Sequence, residues 1–133
     1  MKGGKDTSGK ASQRKGADGE RELAAVLREY GYEIKRGGSL SFGEVPDLAG
    51  LPGIHIECKR CEQVRLSEWM KQAERDSQHF KDGLPAVFHR RSREVWRVTM
   101  NLEDFMKFYI RSNQETTVSY THLRAHETLA NLV

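Results

Sequence analysis

The chain has 133 residues, of which 31% are charged, and its net charge is +3. This length allows one domain with one hydrophobic core, and the mildly basic balance is compatible with a nucleic-acid partner without requiring one. No apolar stretch is long enough to cross a membrane, and no apolar segment follows the basic N-terminus as it would in a secretory signal, so we expect a cytoplasmic location.

The first predicted elements are a basic arm and an amphipathic helix. Residues 1–15 are rich in Gly, Ser, Lys and Arg and have no apolar period, which predicts a disordered arm. Between residues 23 and 30, apolar side chains recur at the spacing of one helix face. Asp18 and Gly31 are suited to cap the two ends of this helix.

Five strands and two more helices follow. Helices are predicted over residues 66–80 and after an Asn101 cap. The turn sequences GLPG and RRSR predict one hairpin between the second and third strands and another between the last two. The order α-β-β-β-α-β-β-α predicts an α/β fold with a central mixed sheet of about five strands flanked by helices. The strands are predicted over residues 32–35, 45–49, 53–59, 84–89 and 94–99.

Residues 113–133 fit this pattern poorly. The stretch TVSYTHLRAHETLANLV resembles the in-frame translation of a sequencing or cloning adaptor. We therefore expect a non-native tail, with the natural chain cut short near Glu115 or Thr116. The alternative is a genuine terminal helix, in which His122 and His126 at i, i+4 could hold a metal.

Cys58 and Cys61 form a CxxC pair. A structural zinc site needs a second pair of ligands, and a redox motif is expected at the start of a helix. This pair lies in or at the end of a predicted strand. A buried Cys58 and an incidental Cys61 are the simpler interpretation, and the zinc and redox roles are the alternatives.

Charged residues interrupt two predicted strands where burial would be costly. Asp47 lies in one strand, and Glu57 and Lys59 share a face of the next because side chains alternate along a strand. Two carboxylates in close proximity repel each other, and a divalent cation with a preference for hard oxygens, such as Mg²⁺, would neutralise them. Asp47, Glu57 and the backbone carbonyl of Cys58 are the predicted ligands, with Lys59 placed to orient or activate a water. The alternative is a surface ion pair between one carboxylate and Lys59.

The same residues carry a resemblance to a known family. Pro46-Asp47, nine intervening residues and Glu57-Cys58-Lys59 resemble the motif of the PD-(D/E)xK nuclease superfamily. The segments KGADGERE and KRGGS are similar to those of archaeal-type Holliday junction resolvases and their phage relatives. This resemblance implies a restriction-endonuclease-like fold.

The resemblance also implies roles for residues outside the motif. The resemblance favours Glu20 as the catalytic acid of the first helix, which would join the metal ligands, and Glu22 is the alternative. A first-turn acid that is favoured only by the helix dipole is the simpler interpretation of Glu20. Gln72 corresponds to a glutamine or lysine that faces the site in many relatives, whereas a solvated side chain is the alternative. The residues expected to contact DNA phosphates are Lys35, Arg36, Ser39 and Arg60.

The activity implied is Mg²⁺-dependent hydrolysis of DNA phosphodiester bonds, with Mn²⁺ able to substitute. The nuclease domain is expected over residues 16–112, in a prokaryotic or phage-infected cell. The leading interpretation is a Holliday junction resolvase that acts on branched DNA as a homodimer, since cutting two strands symmetrically needs two sites. A phage-type nicking or flap nuclease of the same fold and a non-catalytic DNA-binding module are the alternatives. Acids at Glu68, Glu74 and Asp76, where archaeal resolvases are more basic, weaken the case for four-way junctions.

Overall fold

A computed structural model describes the backbone of residues 3–37 and 44–123 and the side chains of residues 16–37 and 44–114. The chain divides into two units, Met1–Met100 and Asn101–Val133. The order of elements and the α/β class predicted from the sequence are confirmed. The described elements are α1 (Gly3–Glu29), β1 (Lys35–Arg36), β2 (Leu48–Ala49), β3 (Ile54–Arg60), α2 (Leu66–Phe80), β4 (Leu84–Arg90), β5 (Arg97–Thr99) and α3 (Leu102–Leu123).

The five strands lie in two sheets rather than in the single sheet expected. β1 and β2 form an antiparallel pair. β3 runs parallel to β4, with Ile54 opposite Leu84 and Arg60 opposite Arg90, and β5 adds to β4 in the antiparallel direction. The larger sheet therefore has the order β3-β4-β5, which leaves β3 at one edge.

The predicted hairpin between the second and third strands is wrong, whereas the one between the last two strands is confirmed. β2 pairs with β1, and β3 takes β4 as its partner. The 15 residues of α2 supply the long crossover that two parallel strands require. The ladder starts where the amide of Leu84 donates a 2.8 Å hydrogen bond to the carbonyl of Gly53. A tight turn is still present before β3, because the amide of Ile54 donates a 3.1 Å hydrogen bond to the carbonyl of Leu51 and Gly53 has a positive φ of 83°. The strands on either side of this turn do not pair with each other.

The start of α1 also differs from the sequence prediction. The backbone is helical from Gly3, so the arm expected to be disordered continues the helix and Asp18 lies inside it. Extending a helix costs much less free energy than nucleating one. Leu23 and Ala24 are buried in the core and stabilise the turns from which α1 extends. The domain bounds 16–112 stay a prediction, and α3 runs through residue 112.

Helices cover both faces of the three-stranded sheet. On one face, α1 contributes Leu23 and Ala24 to a cluster with Ile56, Ala86 and Phe88. On the other face, α2 contributes its apolar residues to a cluster with β4. Because side chains alternate along β3, Glu57 and Lys59 lie on the α2 side and Ile56 lies on the α1 side. The second cluster comprises Trp69, Met70, Ala73 and Val87.

In the second unit, α3 starts directly after Asn101, as predicted. The carbonyl of Asn101 accepts a 2.9 Å hydrogen bond from the amide of Phe105. The expected tail overlaps α3 as far as Leu123. Beyond that point the tail lies outside the described residues, as do His126 and the side chain of His122. Among the described helices, none combines the length and the apolarity needed to cross a membrane.

Candidate active site

A cavity of about 440 Å³ lies beside β3 at the edge of the larger sheet. It brings together residues from α1, from the segment before β2, from β3 and from α2. Their chemical roles stay predictions, but their proximity is a property of the fold. Of the residues singled out in the sequence, those lining the cavity are Glu20, Asp47, Glu57, Cys58, Lys59, Arg60, Cys61 and Gln72.

Close packing of α1 on β3 places Glu20 at this cavity. A Cβ atom on Gly19 would lie 2.5 Å from Cβ of Arg60, so a glycine allows the helix to approach the strand. Burial raises the pKa of Glu20, and the charge of Asp47 raises it further. Arg36, whose Nη2 lies 3.5 Å from Oε1 of Glu20, opposes this shift in part. The carboxylate of Asp47 therefore lies close enough to Glu20 to oppose its ionisation.

The backbone around Asp47 is held by the end of β1. The amide of Gly37 donates a 2.9 Å hydrogen bond to the carbonyl of Asp47. A Cβ atom on Gly37 would collide with the carbonyl of Pro46, so this approach also depends on a glycine. The β1–β2 pair thereby sets the position from which the exposed Asp47 side chain reaches the cavity.

Glu57, Lys59 and Gln72 form a connected group on the α2 side. Nζ of Lys59 donates a 2.8 Å hydrogen bond to Oε1 of Gln72 and lies 3.7 Å from Oε2 of Glu57. Glu57 is only 6% exposed. Burial raises the pKa of Glu57, while a hydrogen bond with His55 and the charge of Lys59 lower it in part. A buried carboxyl of this kind gains from a neighbouring cation.

Glu22 does not line the cavity. Its carboxylate binds the guanidinium of Arg90 through two contacts, of which that from Nη2 is 2.9 Å long, and it accepts a 3.0 Å hydrogen bond from Nε1 of Trp96. The hydrogen bond from Arg90 lowers the pKa of Glu22. Of the two acids in the first helix, Glu20 thus lies at the cavity and Glu22 forms an ion pair.

The two cysteines are free thiols. Burial raises the pKa of Cys58 to about 12. The thiolate is the form that attacks disulfides, so a thiol with this pKa does not suit the redox role near neutral pH. Cys58 is half-buried and not fully buried as expected, and the zinc role stays an alternative.

The four residues expected to contact DNA lie in different environments. Arg60 lines the cavity and donates 3.1 Å hydrogen bonds to Glu62 and to the hydroxyl of Ser92. Arg36 contacts Glu20, and its Nε atom is buried with no hydrogen-bond partner among the described residues. Lys35 is exposed on β1. Ser39 lies outside the described residues.

Sequence reasoning missed a second polar group beyond Glu57. His55 is buried, with Nε2 at 3.3 Å from Oε1 of Glu57 and Nδ1 at 2.9 Å from Oδ2 of Asp82. Burial lowers the pKa of His55, but hydrogen bonds with the two carboxylates outweigh it and the pKa is raised. The sequence contained two signals for residues near this group. Strand alternation puts His55 on the same face of β3 as Glu57. Helical periodicity puts Asp76 one turn after Gln72 on α2.

The motif resemblance is confirmed by comparison with known proteins. The model of a family described as "Phage putative PDDEXK endonuclease" matches residues 11–133, a span that includes the residues expected to be a non-native tail. The structure is similar to that of Archaeoglobus fulgidus Hjc, a Holliday junction resolvase from an archaeal hyperthermophile, with 23% identity over 65% of this chain and 72% of that chain and a TM-score of 0.49. No curated protein matches the chain. From its motifs and from the family match, the chain belongs to the phage PDDEXK endonuclease family and is a nuclease.

Proposed function

We propose that this nuclease is a Mg²⁺-dependent DNA endonuclease whose metal is bound by Glu20, Asp47 and Glu57. The observation that supports this most directly is the presence of these three carboxyl groups at one cavity. Burial raises the pKa of Glu20 and of Glu57, so both acids gain from a cation. The oxygen donors suit Mg²⁺ and also Mn²⁺, and the backbone carbonyl of Cys58 is proposed as a further ligand.

Lys59 is the proposed electrostatic catalyst. A bound Mg²⁺ would polarise the scissile phosphate and lower the pKa of a bound water. The Lys59 ammonium, tied to Gln72 and close to Glu57, is positioned before substrate arrives. Preorganised positive charge stabilises the negative charge that develops on phosphate oxygens in the transition state. Because Gln72 is a neutral acceptor, it orients Lys59 without neutralising it.

The proposed substrate is branched DNA, and the proposed acting unit is a homodimer. Phosphate contacts are assigned to Lys35, Arg36, Ser39 and Arg60 from the resemblance and from their charge or hydroxyl groups. Six large apolar side chains of α3 are 40–75% exposed, which is typical of a surface that binds another protein. These are Leu102, Phe105, Met106, Phe108, Tyr109 and Ile110.

Cleavage assays with the full chain would test this function. The substrates are a four-way junction, a flap and a matched duplex, each with Mg²⁺, Mn²⁺, Ca²⁺ or a chelator. We expect cleavage in Mg²⁺ and Mn²⁺, with the junction preferred. Preferred cutting of flaps or nicking of duplex would favour the phage-type alternative, and binding without cleavage of any substrate would indicate a DNA-binding module. A monomer by light scattering, both alone and on the junction, would contradict the homodimer.

Substitutions in the full chain would test the assigned metal ligands in the same assay. Asp47→Asn and Glu57→Gln should each abolish cleavage and leave DNA binding in Ca²⁺ intact or stronger, because the carboxylates also repel phosphate. Glu33→Gln, at an exposed position, is the matched control. If both variants cut as fast as the parent, the metal site is wrongly assigned.

A further inference from the structure

We propose that a second cation site lies on the opposite side of Glu57, where His55, Glu57 and Asp76 bind a transition metal of the Zn²⁺ or Mn²⁺ class. Each residue offers one ligand atom, and these atoms all lie within 4.8 Å of one another. The site shares Glu57 with the proposed active site, but its ability to bind metal does not depend on the proposed nuclease mechanism.

The two oxygens of Glu57 have different neighbours. Oε2 lies 3.7 Å from Nζ of Lys59, on the side of the active-site cavity. Oε1 lies 3.3 Å from Nε2 of His55. His55, Glu57 and Asp76 line a second cavity of about 230 Å³. Asp47 borders both this cavity and the active-site cavity. A carboxylate placed in this way can contact one cation through each oxygen.

Asp82 prepares His55 to act as a ligand. Both oxygens of Asp82 lie within hydrogen-bond distance of Nδ1 of His55, at 3.0 and 2.9 Å. An imidazole that donates Nδ1–H to this carboxylate presents the lone pair of Nε2 to Glu57 and Asp76. Histidine ligands of metals in proteins are oriented in the same way by a carboxylate or carbonyl acceptor. His55 is 2% exposed and its ring stacks on Phe80, so its orientation is fixed.

Charge at this position also favours a cation. Three carboxyl groups, those of Glu57, Asp76 and Asp82, surround one imidazole. The ligand atoms of Glu57 and Asp76 lie within 4.8 Å of each other, so two carboxylates at this distance repel each other. A divalent ion between them would offset this repulsion.

The donor atoms distinguish this site from the active-site cavity. The proposed active site offers oxygen donors, which suit Mg²⁺. The second site adds an imidazole nitrogen, which Zn²⁺ and other transition ions prefer to a greater degree than Mg²⁺ does. We therefore expect Zn²⁺ to remain bound at the second site in the presence of excess Mg²⁺.

Calorimetric titration of the metal-free full chain with Zn²⁺, without DNA and in excess Mg²⁺, tests the site. We expect one Zn²⁺ ion to bind, with affinity reduced at least tenfold in Asp76→Asn. Asp82→Asn removes no ligand, yet it should weaken binding by about 10–100-fold, the usual effect of losing the acceptor behind a histidine ligand. Glu20→Gln, which changes only the active-site cavity, should bind Zn²⁺ like the parent.

A second measurement identifies the ligand atom and does not depend on activity. In ¹⁵N-histidine-labelled protein, Zn²⁺ should shift the Nε2 resonance of His55. This shift should be lost in Asp76→Asn, while the melting temperature of the variant is retained.

Absence of Zn²⁺ binding, or binding unchanged in both Asp76→Asn and Asp82→Asn, would overturn the proposal. Zn²⁺ binding lost in Glu20→Gln but kept in Asp76→Asn would place the ion in the active-site cavity instead. If Glu20→Gln cuts DNA normally while Asp76→Asn loses Zn²⁺, the active-site assignment fails and the second site stands.

Discussion

The ammonium of Lys59 donates a 2.8 Å hydrogen bond to the side-chain oxygen of Gln72, so α2 holds the lysine of β3 in place. Fixing the rotamers of a lysine side chain costs about 2 kcal/mol of conformational entropy. Without a partner such as Gln72, this cost would add to the activation free energy of the reaction. Gln72 restricts this motion and, being neutral, leaves the charge of Lys59 available to a phosphate. This contact supports Gln72 as a positioning residue in the proposed mechanism.

We expect Gln72→Leu to slow cleavage by about tenfold or more, since a hydrogen bond to a charged group contributes roughly 1.5–3 kcal/mol. Mg²⁺ affinity should be unchanged because all proposed ligands remain. Single-turnover rates at saturating Mg²⁺ would measure the effect. Gln78→Leu, at an exposed position of the same helix, is the control. Equal rates for the two variants would show that Gln72 does not position Lys59.

A second prediction concerns the charge of Lys59 itself. Lys59→Met keeps most of the side-chain length and removes the ammonium, so Mg²⁺ binding should be nearly intact while the chemical step slows by at least ~10²-fold. Lys59→Arg should restore only part of the rate, because a planar guanidinium does not replace a compact ammonium. Single-turnover cleavage at saturating enzyme isolates this step. A Lys59→Met rate within about threefold of the parent, far below the loss expected for a preorganised charge, would mean that Lys59 is only a salt-bridge partner.

The two acids of the first helix provide a matched pair. Glu20 lines the cavity with Asp47 and Glu57, whereas Glu22 is bound to Arg90 and Trp96. We expect Glu20→Gln to lower the single-turnover rate by at least ~10²-fold, and Glu22→Gln to leave it within a few fold of the parent. If the reverse is measured, the catalytic acid has been assigned to the wrong residue.

The parts of the candidate active site that lie on one strand or one helix could be predicted from the spacing of residues along the chain. Alternation along β3 placed Glu57 and Lys59 on one face, and in the structure Nζ of Lys59 lies 3.7 Å from Oε2 of Glu57. The same alternation places His55 on this face, where it is hydrogen-bonded to Glu57, but sequence reasoning overlooked it. Helical spacing likewise connects Gln72 with Asp76 on α2. The missed residues could therefore have been found by extending each periodicity by one step.

Strand pairing was less predictable because it depends on distant residues. The GLPG turn favoured a β2–β3 hairpin locally, yet β3 pairs with β4 from Ile54 opposite Leu84 onward. That choice depends on how α2 packs over the sheet, which no local turn sequence encodes. The placement of Glu20 is similar, since it depends on contact between Gly19 and Arg60, which lie on different elements.

Glu22 should make stability depend on pH in the acid range. The hydrogen bond from Arg90 lowers the pKa of Glu22 below the ordinary value of a glutamate, so the folded state binds this proton less readily than the unfolded state. The stabilisation is therefore present above about pH 4.5 and is lost as the pH falls through the lowered pKa. The Glu22 side chain is 38% exposed, and solvent screening limits the contribution to about 1 kcal/mol or less.

Urea unfolding at pH 7 and at low pH would check this dependence. Glu22→Gln should be less stable than the parent at pH 7, and the difference should shrink once Glu22 is protonated. Glu33→Gln, which changes an exposed acid, should leave the pH profile of the parent unaltered. A constant difference between Glu22→Gln and the parent at all pH values would mean that the loss comes from packing and not from charge.

Gly19 and Gly16 test whether packing of α1 on β3 positions the active site. Both glycines lie within α1, so replacing either with alanine should gain up to about 1 kcal/mol of helix propensity. A Cβ atom at Gly16 would have nothing within 4 Å, and Gly16→Ala should therefore stabilise the protein.

At Gly19 the new Cβ would lie 2.5 Å from Cβ of Arg60, an atom that is attached directly to the backbone of β3 and cannot swing aside. Overpacking of this kind costs about 1–3 kcal/mol, which equals or exceeds the gain in helix propensity. Gly19→Ala should therefore unfold at a lower urea concentration than Gly16→Ala. Because Glu20 is the next residue, a shift of α1 away from β3 that relieves the collision also moves Glu20 relative to Glu57. A displacement of about 1 Å in a catalytic site can cost ~10²-fold in rate, so cleavage by Gly19→Ala should fall by more than its fraction unfolded explains. Equal stability and equal rates for the two variants would show that α1 does not approach β3 closely at Gly19.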